Sequence, residues 1–282
     1  MDFNGIDWNS MWQEDYAQSH WNRGSQKELW DKRAESFDKR IRAATDSKGE
    51  LDKEDYISKM LARIEVKPGW TILDIGCGPG TLAIPLAKKA KSVTGMDISP
   101  EMLKYLKINA EKIGLNNIGC LNLSWKDAFA GKKVGEHDIV VASRSLMSGD
   151  IKEAISCINS IALQAVYITL PLINLPFDWE AHRAIGRNGR RNPPYVYFYN
   201  LLYQMGIIAN IEMLRSRVKV QYPGIEEAIE DLQWRTAPFT PEEKTRLVSF
   251  LETKFSRQKG RVFTDEGYSK WMLIWWRKED QR

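Results

Sequence analysis

Ten residues, Ile72-Leu73-Asp74-Ile75-Gly76-Cys77-Gly78-Pro79-Gly80-Thr81, decide the fold of this 282-residue chain. An apolar run with one acid leads into three glycines at alternate positions, which predicts a strand, a sharp turn and the start of a helix. Because glycine has no Cβ, a ligand can lie against the bare backbone of such a turn at the helix N-terminus. Thr81 stands where the third glycine of a dinucleotide-binding GxGxxG motif would fall, and the turn has no GKT or GKS. The turn therefore disfavours a pyrophosphate ligand.

Short apolar runs alternate with amphipathic runs of helix length after this turn begins. The pattern predicts strands at 71–75, 92–97, 118–123, 138–142 and 165–170, with helices at 82–89, 100–113 and 151–163. Such alternation is typical of a doubly wound, Rossmann-like α/β fold, with a parallel sheet and helices on both faces. Ligands of these folds bind at the carboxyl ends of the strands.

Two acids mark that edge of the predicted sheet. Asp97 ends the second strand about twenty residues after the glycine turn, where an acidic side chain can accept hydrogen bonds from both hydroxyls of a ribose. Asp74 lies near the end of the first strand, where it can bind a ligand ammonium group directly or through water. Together these residues predict a ligand with a free ribose.

The residues at this edge resemble the class I S-adenosylmethionine-dependent methyltransferases. LDIGCGPG (73–80) is similar to the first motif of that family, and GMDIS (95–99) is similar to the second. The resemblance implies S-adenosylmethionine as the cofactor and a seven-stranded, mostly parallel sheet whose last strand is antiparallel, with its closing strand pair near 206–220 and 268–278. It also implies a set of cofactor-binding residues: Asp74, Gly76, Cys77, Gly78, Gly80 and Asp97 from the two motifs, Ile98 against the adenine, Trp125, Lys126 and Asp127 near the adenine amino group, and Ser143 at the end of the fourth strand.

The first 50 residues have a different composition, with four tryptophans among charged and amide side chains. We predict a helical cap over 1–50 and a methyltransferase domain over 51–282, with the boundary in the polar stretch 43–55. WDKRAESFD (30–38) resembles a helix that lies across the cofactor in small-molecule methyltransferases. Trp30, Arg33 and Phe37 are its candidate contacts, because aromatic faces suit a sulfonium and arginine suits a carboxylate. The alternative is that these side chains simply pack.

The segment FDWEAHRAIGRNGRRNPPY (177–195) follows the fifth strand, where the family places substrate-recognition residues. We name His182 as the candidate general base and Arg183, Arg187 and Tyr195 as candidate substrate contacts. The arginines suit an acidic group of the substrate, and the alternative is a solvated loop. NPPY (192–195) resembles a motif of amine methyltransferases, but it lies about fifty residues beyond the fourth strand. We therefore interpret its prolines as the first turn of a helix.

An insertion at about 222–258 contains two predicted amphipathic helices before the last strand. The second begins with Thr240 as N-cap, Pro241 at the first position and Glu243 at the third, which is a capping-box pattern. The insertion is either a substrate lid or a dimerisation element. A monomer and a homodimer both stay open.

The composition of the chain argues against several classes of protein. The chain has 41 Lys+Arg and 37 Asp+Glu, a net charge of +4, which gives no electrostatic case for a dedicated nucleic-acid binder. It has no apolar run of the about 18 residues that a membrane span needs, and its three cysteines lack the spacing of a disulfide framework or a metal site. We therefore expect a soluble, cytoplasmic protein without a metal. The resemblance to the methyltransferase family implies that it transfers a methyl group from S-adenosylmethionine by in-line displacement, and we expect a small-molecule or metabolite acceptor. The alternatives are an RNA or DNA methyltransferase and a non-catalytic S-adenosylmethionine-binding protein.

Overall fold

The structure, a computed structural model, describes residues 5–22, 24–43, 55–130, 133–173, 177–187, 193–218, 220–235, 238–258, 261–263 and 267–281. The predicted boundary at 43–55 falls almost wholly outside these ranges, as does Asn192 of NPPY. The described strands are β1 (Thr71–Ile75), β2 (Ser92–Asp97), β3 (Ile118–Asn122), β4 (His137–Ser143), β5 (Ala162–Ile173), β6 (Asn210–Val218), β7 (Gln221–Tyr222), β8 (Ser256–Gln258), β9 (Arg261–Phe263) and β10 (Gly267–Arg277).

Of the α-helices that the structure describes, three precede the first strand, four alternate with the first five strands, and four follow β5 in two pairs. They are α1 (Trp8–Gln18), α2 (Gln26–Ala43), α3 (Tyr56–Arg63), α4 (Ala83–Ala87), α5 (Pro100–Lys112), α6 (Trp125–Ala130), α7 (Ile151–Ile161), α8 (Asp178–Ala184), α9 (Tyr195–Gln204), α10 (Ile225–Arg235) and α11 (Pro241–Lys254). In the described part of the chain, no helix combines the length and the apolar character needed to cross a membrane.

A seven-stranded sheet forms the centre of the molecule. Its order is β3-β2-β1-β4-β5-β10-β6. β10 pairs antiparallel with β5 and with β6, whereas the pairs β1–β2, β1–β4, β2–β3 and β4–β5 are parallel. The predicted Rossmann-like sheet with an antiparallel last strand is therefore confirmed, and the carboxyl ends of β1, β2 and β4 meet at one edge.

Apolar clusters cover both faces of this sheet. Successive residues of a strand point to opposite faces, so Leu73 of β1 lies in one cluster and its neighbour Ile72 in the other. Helices α1, α7 and α9 contribute to the first cluster, and α3, α4 and α5 contribute to the second. Helices α5 and α7, each of which follows a strand, begin at a capping side chain: Ser99 accepts a hydrogen bond from the Met102 N–H (3.1 Å) at the start of α5, and Asp150 accepts from the Glu153 N–H (2.9 Å) at the start of α7.

The two N-terminal helices lie in different places. Trp12 of α1 is fully buried; its Nε1 donates to the carbonyl oxygen of Ser148 (2.7 Å), and its ring packs against Phe198. α2 instead packs along α5. Of the two helices, only α2 therefore lies near the predicted cofactor edge, and Trp12 of α1 is a core residue.

A third apolar cluster forms a lobe beside the sheet, which we call the insertion lobe. It contains α8, α10, α11 and a three-stranded sheet of order β7-β9-β8. The predicted capping box of α11 is confirmed, because Thr240 Oγ1 accepts from the Glu243 N–H (3.2 Å) and Glu243 accepts from the Thr240 N–H (2.8 Å). The small sheet and α6 were not predicted from the sequence.

Candidate functional site

The glycine turn joins β1 to α4 through backbone conformations that favour glycine. Gly76, Gly78 and Gly80 have φ angles of +69°, +54° and +95°. A Cβ added to Gly76 would lie 2.3 Å from the Cβ of Ser145, which follows β4. The Gly76 N–H donates to the carbonyl oxygen of Met96 (2.7 Å), near the end of β2. The turn is thus held closely against the ends of both neighbouring strands.

Asp97 ends β2 with its carboxylate facing the turn. Its Oδ2 accepts from the Gly78 N–H (2.9 Å) and its Oδ1 from the Ser99 N–H (2.9 Å). Burial raises the pKa of Asp97; the two N–H groups oppose that rise, and the charge of Asp31 adds to it. Because each carboxylate oxygen has two lone pairs, both oxygens can also accept a bond from a ligand hydroxyl.

Asp74 lies beneath the turn in a nearly closed environment. It is 2% exposed, and its Oδ2 has no hydrogen-bond partner within the described residues. Burial and the charge of Asp97 raise the pKa of Asp74 to about 7, opposed by a bond from the Ala83 N–H. A buried carboxylate with an unpaired oxygen is the kind of group that a ligand cation would satisfy.

Helix α2 lies over the glycine turn. The Cε1 of Phe37 is 3.9 Å from the position of a Cβ added to Gly78, and the Trp30 ring meets the Phe37 ring edge-on at 5.9 Å between centroids. Asp31 accepts a hydrogen bond from Ser99 Oγ (2.5 Å), two residues beyond the acid of β2. The structure thus brings Trp30 and Phe37 to the predicted cofactor edge, while their contact with the cofactor stays a prediction.

Ile98 and Cys77 occupy the sides of this edge. Ile98 is half-buried, and Asn122 Nδ2 donates to the carbonyl oxygens of Asp97 and Ile98 (3.0 Å each). The Cys77 thiol is buried below the turn, close to where a Cβ on Gly95 would lie (3.0 Å), and burial raises its pKa. Only the backbone of Cys77 is therefore available to a ligand.

The predicted adenine-binding residues begin helix α6. Trp125 is its first residue, Lys126 is exposed, and Asp127 closes a cap: Ser124 Oγ donates to Asp127 Oδ2 (2.6 Å) and accepts from the Asp127 N–H (3.0 Å). One oxygen of Asp127 is held by this cap. The adenine contact of these residues stays a prediction.

The end of β4 carries a hydroxyl cluster. The Tyr56 hydroxyl of α3 lies 2.8 Å from Ser143 Oγ and 2.7 Å from Thr169 Oγ1 of β5. Thr169 Oγ1 also accepts from the N–H of Arg144 (3.0 Å). The predicted cofactor residue Ser143 therefore already has a side-chain partner, and it lies between the glycine turn and the β5 side of the sheet.

Three predicted catalytic or substrate residues lie away from the turn. His182 Nδ1 is 2.6 Å from the carbonyl oxygen of Asp178 inside α8, Arg183 is exposed on the same helix, and Tyr195 begins α9 against the first apolar cluster. Within the described ranges, no hydrogen bond, ion pair or ring contact joins them to the glycine turn. Their predicted roles are therefore without support from this geometry.

Two predicted ligand-binding arginines are instead held by carboxylates. Arg187 Nε and Nη2 donate to Glu243 Oε1 and Oε2 (2.6 and 2.5 Å), and Nη2 also donates to the carbonyl oxygen of Pro238 (2.8 Å). Arg33 pairs with Asp231 of α10 at 3.3 Å. The pairs neutralise both guanidinium charges, so these arginines join elements of the insertion lobe and α2. Their contacts with substrate and cofactor stay predictions.

Three side chains at this edge were not predicted from the sequence. Asp31 lies within the WDKRAESFD stretch but was not named as a site residue. Its spacing of four residues from Lys27 indicates an ion pair on one helix face and gives no signal for its contact with Ser99. Tyr56 is the first residue of an amphipathic helix, which gives no signal of its own. Arg144 carried a usable signal, since it is a charge placed directly after a buried strand.

Comparisons with known proteins agree with this geometry. A family profile described as "Methyltransferase domain" matches residues 72–162. An uncharacterised protein of Haemophilus influenzae is 32% identical over 222 residues, which are 78% of this chain and 81% of that protein. A protein described as a probable cobalt-precorrin-6B C(15)-methyltransferase (decarboxylating) of Methanobrevibacter smithii is 33% identical over 94 residues, which are 33% of this chain and 49% of that protein.

A solved structure gives the same fold. YcgJ of Bacillus subtilis matches with a TM-score of 0.54 and 14% identity, covering 79% of this chain and 97% of that one. Shorter sequence matches include methyltransferases named for 23S rRNA and for ribosomal protein L11. The sequence matches therefore span several acceptor classes.

Proposed function

The chain belongs to the class I S-adenosylmethionine-dependent methyltransferases, and we propose that it transfers a methyl group from this cofactor to a small-molecule acceptor. The observation that carries the proposal is the pairing of the glycine turn with Asp97, whose two oxygens are fixed by the N–H groups of Gly78 and Ser99. This arrangement supports a ribose held at the carboxyl end of β2.

The charges of the described residues fit the two cationic groups of the cofactor. S-adenosylmethionine carries an ammonium, a sulfonium and a carboxylate, and the buried carboxylates of Asp74 and Asp97, with Asp31 nearby, suit the two cations. Asp74 has an unpaired, buried oxygen that an ammonium group or a bridging water would satisfy. We therefore assign Asp74, Gly76, Gly78 and Asp97 to holding the cofactor.

When bound, S-adenosylmethionine supplies an activated methyl group whose leaving group is a neutral thioether. The protein's contribution is alignment and exclusion of water, which in bound complexes lowers the barrier by several kcal/mol. Asp97 and the turn fix the position of the ribose, and α2 covers the turn through Phe37. A general base is required only for an acceptor of high pKa, and the catalytic role of His182 stays a prediction.

The arrangement of helices favours a small acceptor. α2 covers the glycine turn, and the pair between Arg33 and Asp231 joins α2 to the insertion lobe, so the space beside the turn is bordered on two sides. The cobalt-precorrin methyltransferase named above is a relative whose acceptor, by its name, is a small molecule. RNA and protein acceptors are the rival classes.

The experiment that tests this function follows a labelled methyl group. The protein is incubated with methyl-labelled S-adenosylmethionine and three separated fractions of a cell extract: small molecules, RNA and protein. We expect label in the small-molecule fraction, with S-adenosylhomocysteine formed in equal amount. Asp97→Asn is the matched control and should reduce the transfer at least about tenfold when the cofactor is below saturation. Label confined to RNA or to protein would refute the small-molecule acceptor, and cofactor binding without transfer to any fraction would favour the non-catalytic alternative.

A further inference from the structure

Arg144, the residue that follows β4, combines an unusual backbone with a half-buried charge. Of the residues that the structure describes, it is the one non-glycine with a positive φ, +60°. Its guanidinium carbon lies 3.5 Å from the ring centroid of Tyr56 and 4.6 Å from that of Trp271. Its Nε is shielded from solvent and has no hydrogen-bond partner within the described residues. The guanidinium is thus fixed by two rings, while one of its donors is unused.

The neighbours of Arg144 impose this backbone conformation. An arginine in the left-handed region is unfavourable unless the surrounding structure determines it, and such residues cluster at functional sites. Here the Arg144 N–H donates to Thr169 Oγ1 (3.0 Å), and the Tyr56 hydroxyl joins Thr169 to Ser143. The hydroxyl cluster therefore acts to hold Arg144 in a position that the chain would not adopt by itself.

The charge of Arg144 is not balanced nearby. In the described ranges, no carboxylate lies within ion-pair distance of its guanidinium, in contrast to Arg33, Arg63 and Arg187. Burial lowers its pKa, opposed by Tyr56 and by the charge of Asp55, and Asp55 is already used as the N-cap of α3. Aromatic rings offset part of the cost of burying a cation. An anionic ligand would offset the rest.

The side chain of Arg144 leads away from the cofactor acids. Arg144 follows β4, two strands from β2 with its Asp97, whereas Trp271, against which the guanidinium lies, is on β10, two strands further along the sheet. At about 4.8 Å between strands, the strands of Asp97 and Trp271 are on the order of 19 Å apart. Because the guanidinium lies against Trp271, it is directed away from the ribose side of the site and toward β5 and β10.

We infer that Arg144, held by Tyr56 and Trp271, binds an anionic group, a carboxylate or a phosphate, of the methyl acceptor. The inference rests on the proposed function and narrows its substrate class to acids. A guanidinium presents paired donors that match the oxygens of both anions. We therefore propose Arg144 as the substrate-binding arginine instead of Arg187, whose Nε and Nη2 donate to Glu243.

The test uses simple probes on the full chain saturated with S-adenosylhomocysteine. Benzoate and phenyl phosphate are titrated as anions, with neutral benzamide as the reference, on the wild type and on Arg144→Met. Arg215→Met is the matched control, since Arg215 is an exposed arginine that also stacks on a tyrosine ring (3.6 Å to the centroid of Tyr268). Preference for benzoate assigns a carboxylate, and preference for phenyl phosphate assigns a phosphate.

We expect at least one anion to bind at least about tenfold more tightly than benzamide to the wild type and to Arg215→Met, and the preference to vanish in Arg144→Met. No preference in the wild type, or an equal preference in Arg144→Met, would overturn the inference. Should Arg144→Met fail to fold, Arg144→Lys replaces it: the preference should persist but weaken at least about threefold, because lysine lacks the paired donors. Unchanged affinity in Arg144→Lys would contradict the inference.

A second titration tests whether Arg144 binds the cofactor instead of the acceptor. S-adenosylhomocysteine and 5′-methylthioadenosine, which lacks the amino-acid part, are titrated on wild type and Arg144→Met, and we expect both affinities to stay within about twofold. A selective loss of S-adenosylhomocysteine binding would place Arg144 on the cofactor carboxylate and refute the inference. If the wild type bound no S-adenosylhomocysteine, the proposed function would fail, whereas anion binding by the protein alone would still measure the role of Arg144.

Discussion

Asp74 and Asp97 are two buried carboxylates that give the cofactor side of the site its charge. Both have raised pKa values because burial penalises the charged form; the charge of Asp97 adds to the rise at Asp74, and the charge of Asp31 adds to the rise at Asp97. Two buried carboxylates close together raise the free energy of the ligand-free protein, and a cationic group of a ligand would lower it. The opposite sign at Arg144, on the far side of β4, divides the site into a cation-binding part and an anion-binding part.

Proton release on cofactor binding follows from the pKa of Asp74. At pH 6 an acid with a pKa of about 7 is mostly protonated, and a ligand ammonium beside it favours ionisation. We predict that S-adenosylhomocysteine binding at pH 6 releases up to about one proton and that the release falls toward zero by pH 8.5. Calorimetry in two buffers of different ionisation enthalpy measures it.

The control for this prediction is Asp74→Asn. This variant should release few protons when S-adenosylhomocysteine binds, and its free energy of unfolding should depend less on pH than that of the wild type. Because the folded pKa of about 7 exceeds the ordinary aspartate pKa of 3.8, Asp74 makes the free energy of unfolding of the ligand-free protein fall as pH rises from about 4 to about 7. Equal proton release in wild type and Asp74→Asn would remove Asp74 from the cofactor site.

Site residues could be predicted from the sequence where a few neighbouring residues determine the local conformation. Glycines with positive φ and an acid at a strand end can be read from a short motif, which is why Gly76, Gly78, Gly80 and Asp97 meet as predicted. Whether an arginine is free to bind a ligand cannot be predicted from a short motif, because that depends on ion-pair partners far along the chain. Arg187 is neutralised by Glu243, while Arg144 meets no such carboxylate within the described residues.

Helix α2 connects the glycine turn to the rest of the molecule. Asp38 is fully buried, pairs with Arg42 and accepts from Asn109 Nδ2 (2.7 Å), and Asn109 also donates to the carbonyl oxygen of Pro79 in the turn (3.1 Å). The helix is therefore docked through a few polar contacts rather than through a large apolar face. Contacts of this kind give a segment a low opening free energy.

Hydrogen exchange tests whether the cofactor orders α2. We predict slower exchange in α2 when S-adenosylhomocysteine is bound, because closing over the ligand adds contacts to a helix that opens easily. α1 is the internal control: Trp12 lies in the core, so exchange there should not change. Asn109→Ala should speed exchange in α2 and weaken cofactor binding.

Exchange in α2 that is equally slow with and without the ligand would show that α2 is an ordinary packed element. Trp30 and Phe37 would then no longer be candidates for cofactor contact. The separate position of α1 also means that deleting residues 1–45 would remove part of the core, so point variants in α2 are the cleaner probe.

The insertion lobe depends on the ion pair between Arg187 and Glu243. The bonds from Arg187 and the Thr240 N–H lower the pKa of Glu243 to about 2. We predict that Arg187→Met and Glu243→Gln each destabilise the protein by about 1–3 kcal/mol and that the double variant is less destabilised than their sum. Denaturant unfolding measures this coupling.

The same variants decide between a structural and a substrate role. Arg187→Met should leave cofactor affinity unchanged and should affect turnover no more than Glu243→Gln does. A loss of acceptor affinity seen in Arg187→Met but not in Glu243→Gln would restore Arg187 as a substrate contact.

Elements with strong local signals were predictable, and short ones were not. The capping box at Thr240 and the buried run of β1 fix a helix start and a strand through neighbouring residues. β7, β8 and β9 have only two or three residues each, too few for a period to show, and they exist because the lobe brings them together. The predicted helical cap over 1–50 includes α1, but its bounds were not predicted, because its polar composition hides the one buried tryptophan that anchors it.

At the scale of the whole molecule, the sheet places two binding regions on one edge. The glycine turn and β2 lie on one side of β4, and the aromatic contacts of Arg144 lie on the other. α2 and the insertion lobe, joined by Arg33 and Asp231, border this edge. The fold thus supports a cofactor and an acceptor that meet near the carboxyl end of β4.

Titration calorimetry with S-adenosylhomocysteine tests the central claim most directly, that the glycine turn and Asp97 hold this cofactor. We predict that the wild type binds one molecule per chain, that NAD binds far more weakly, and that Asp97→Asn weakens S-adenosylhomocysteine binding at least about tenfold through the loss of charged hydrogen bonds. Circular dichroism and thermal unfolding establish that the variant is folded. Wild-type affinity in a folded Asp97→Asn variant, or no binding by the wild type, would contradict the account.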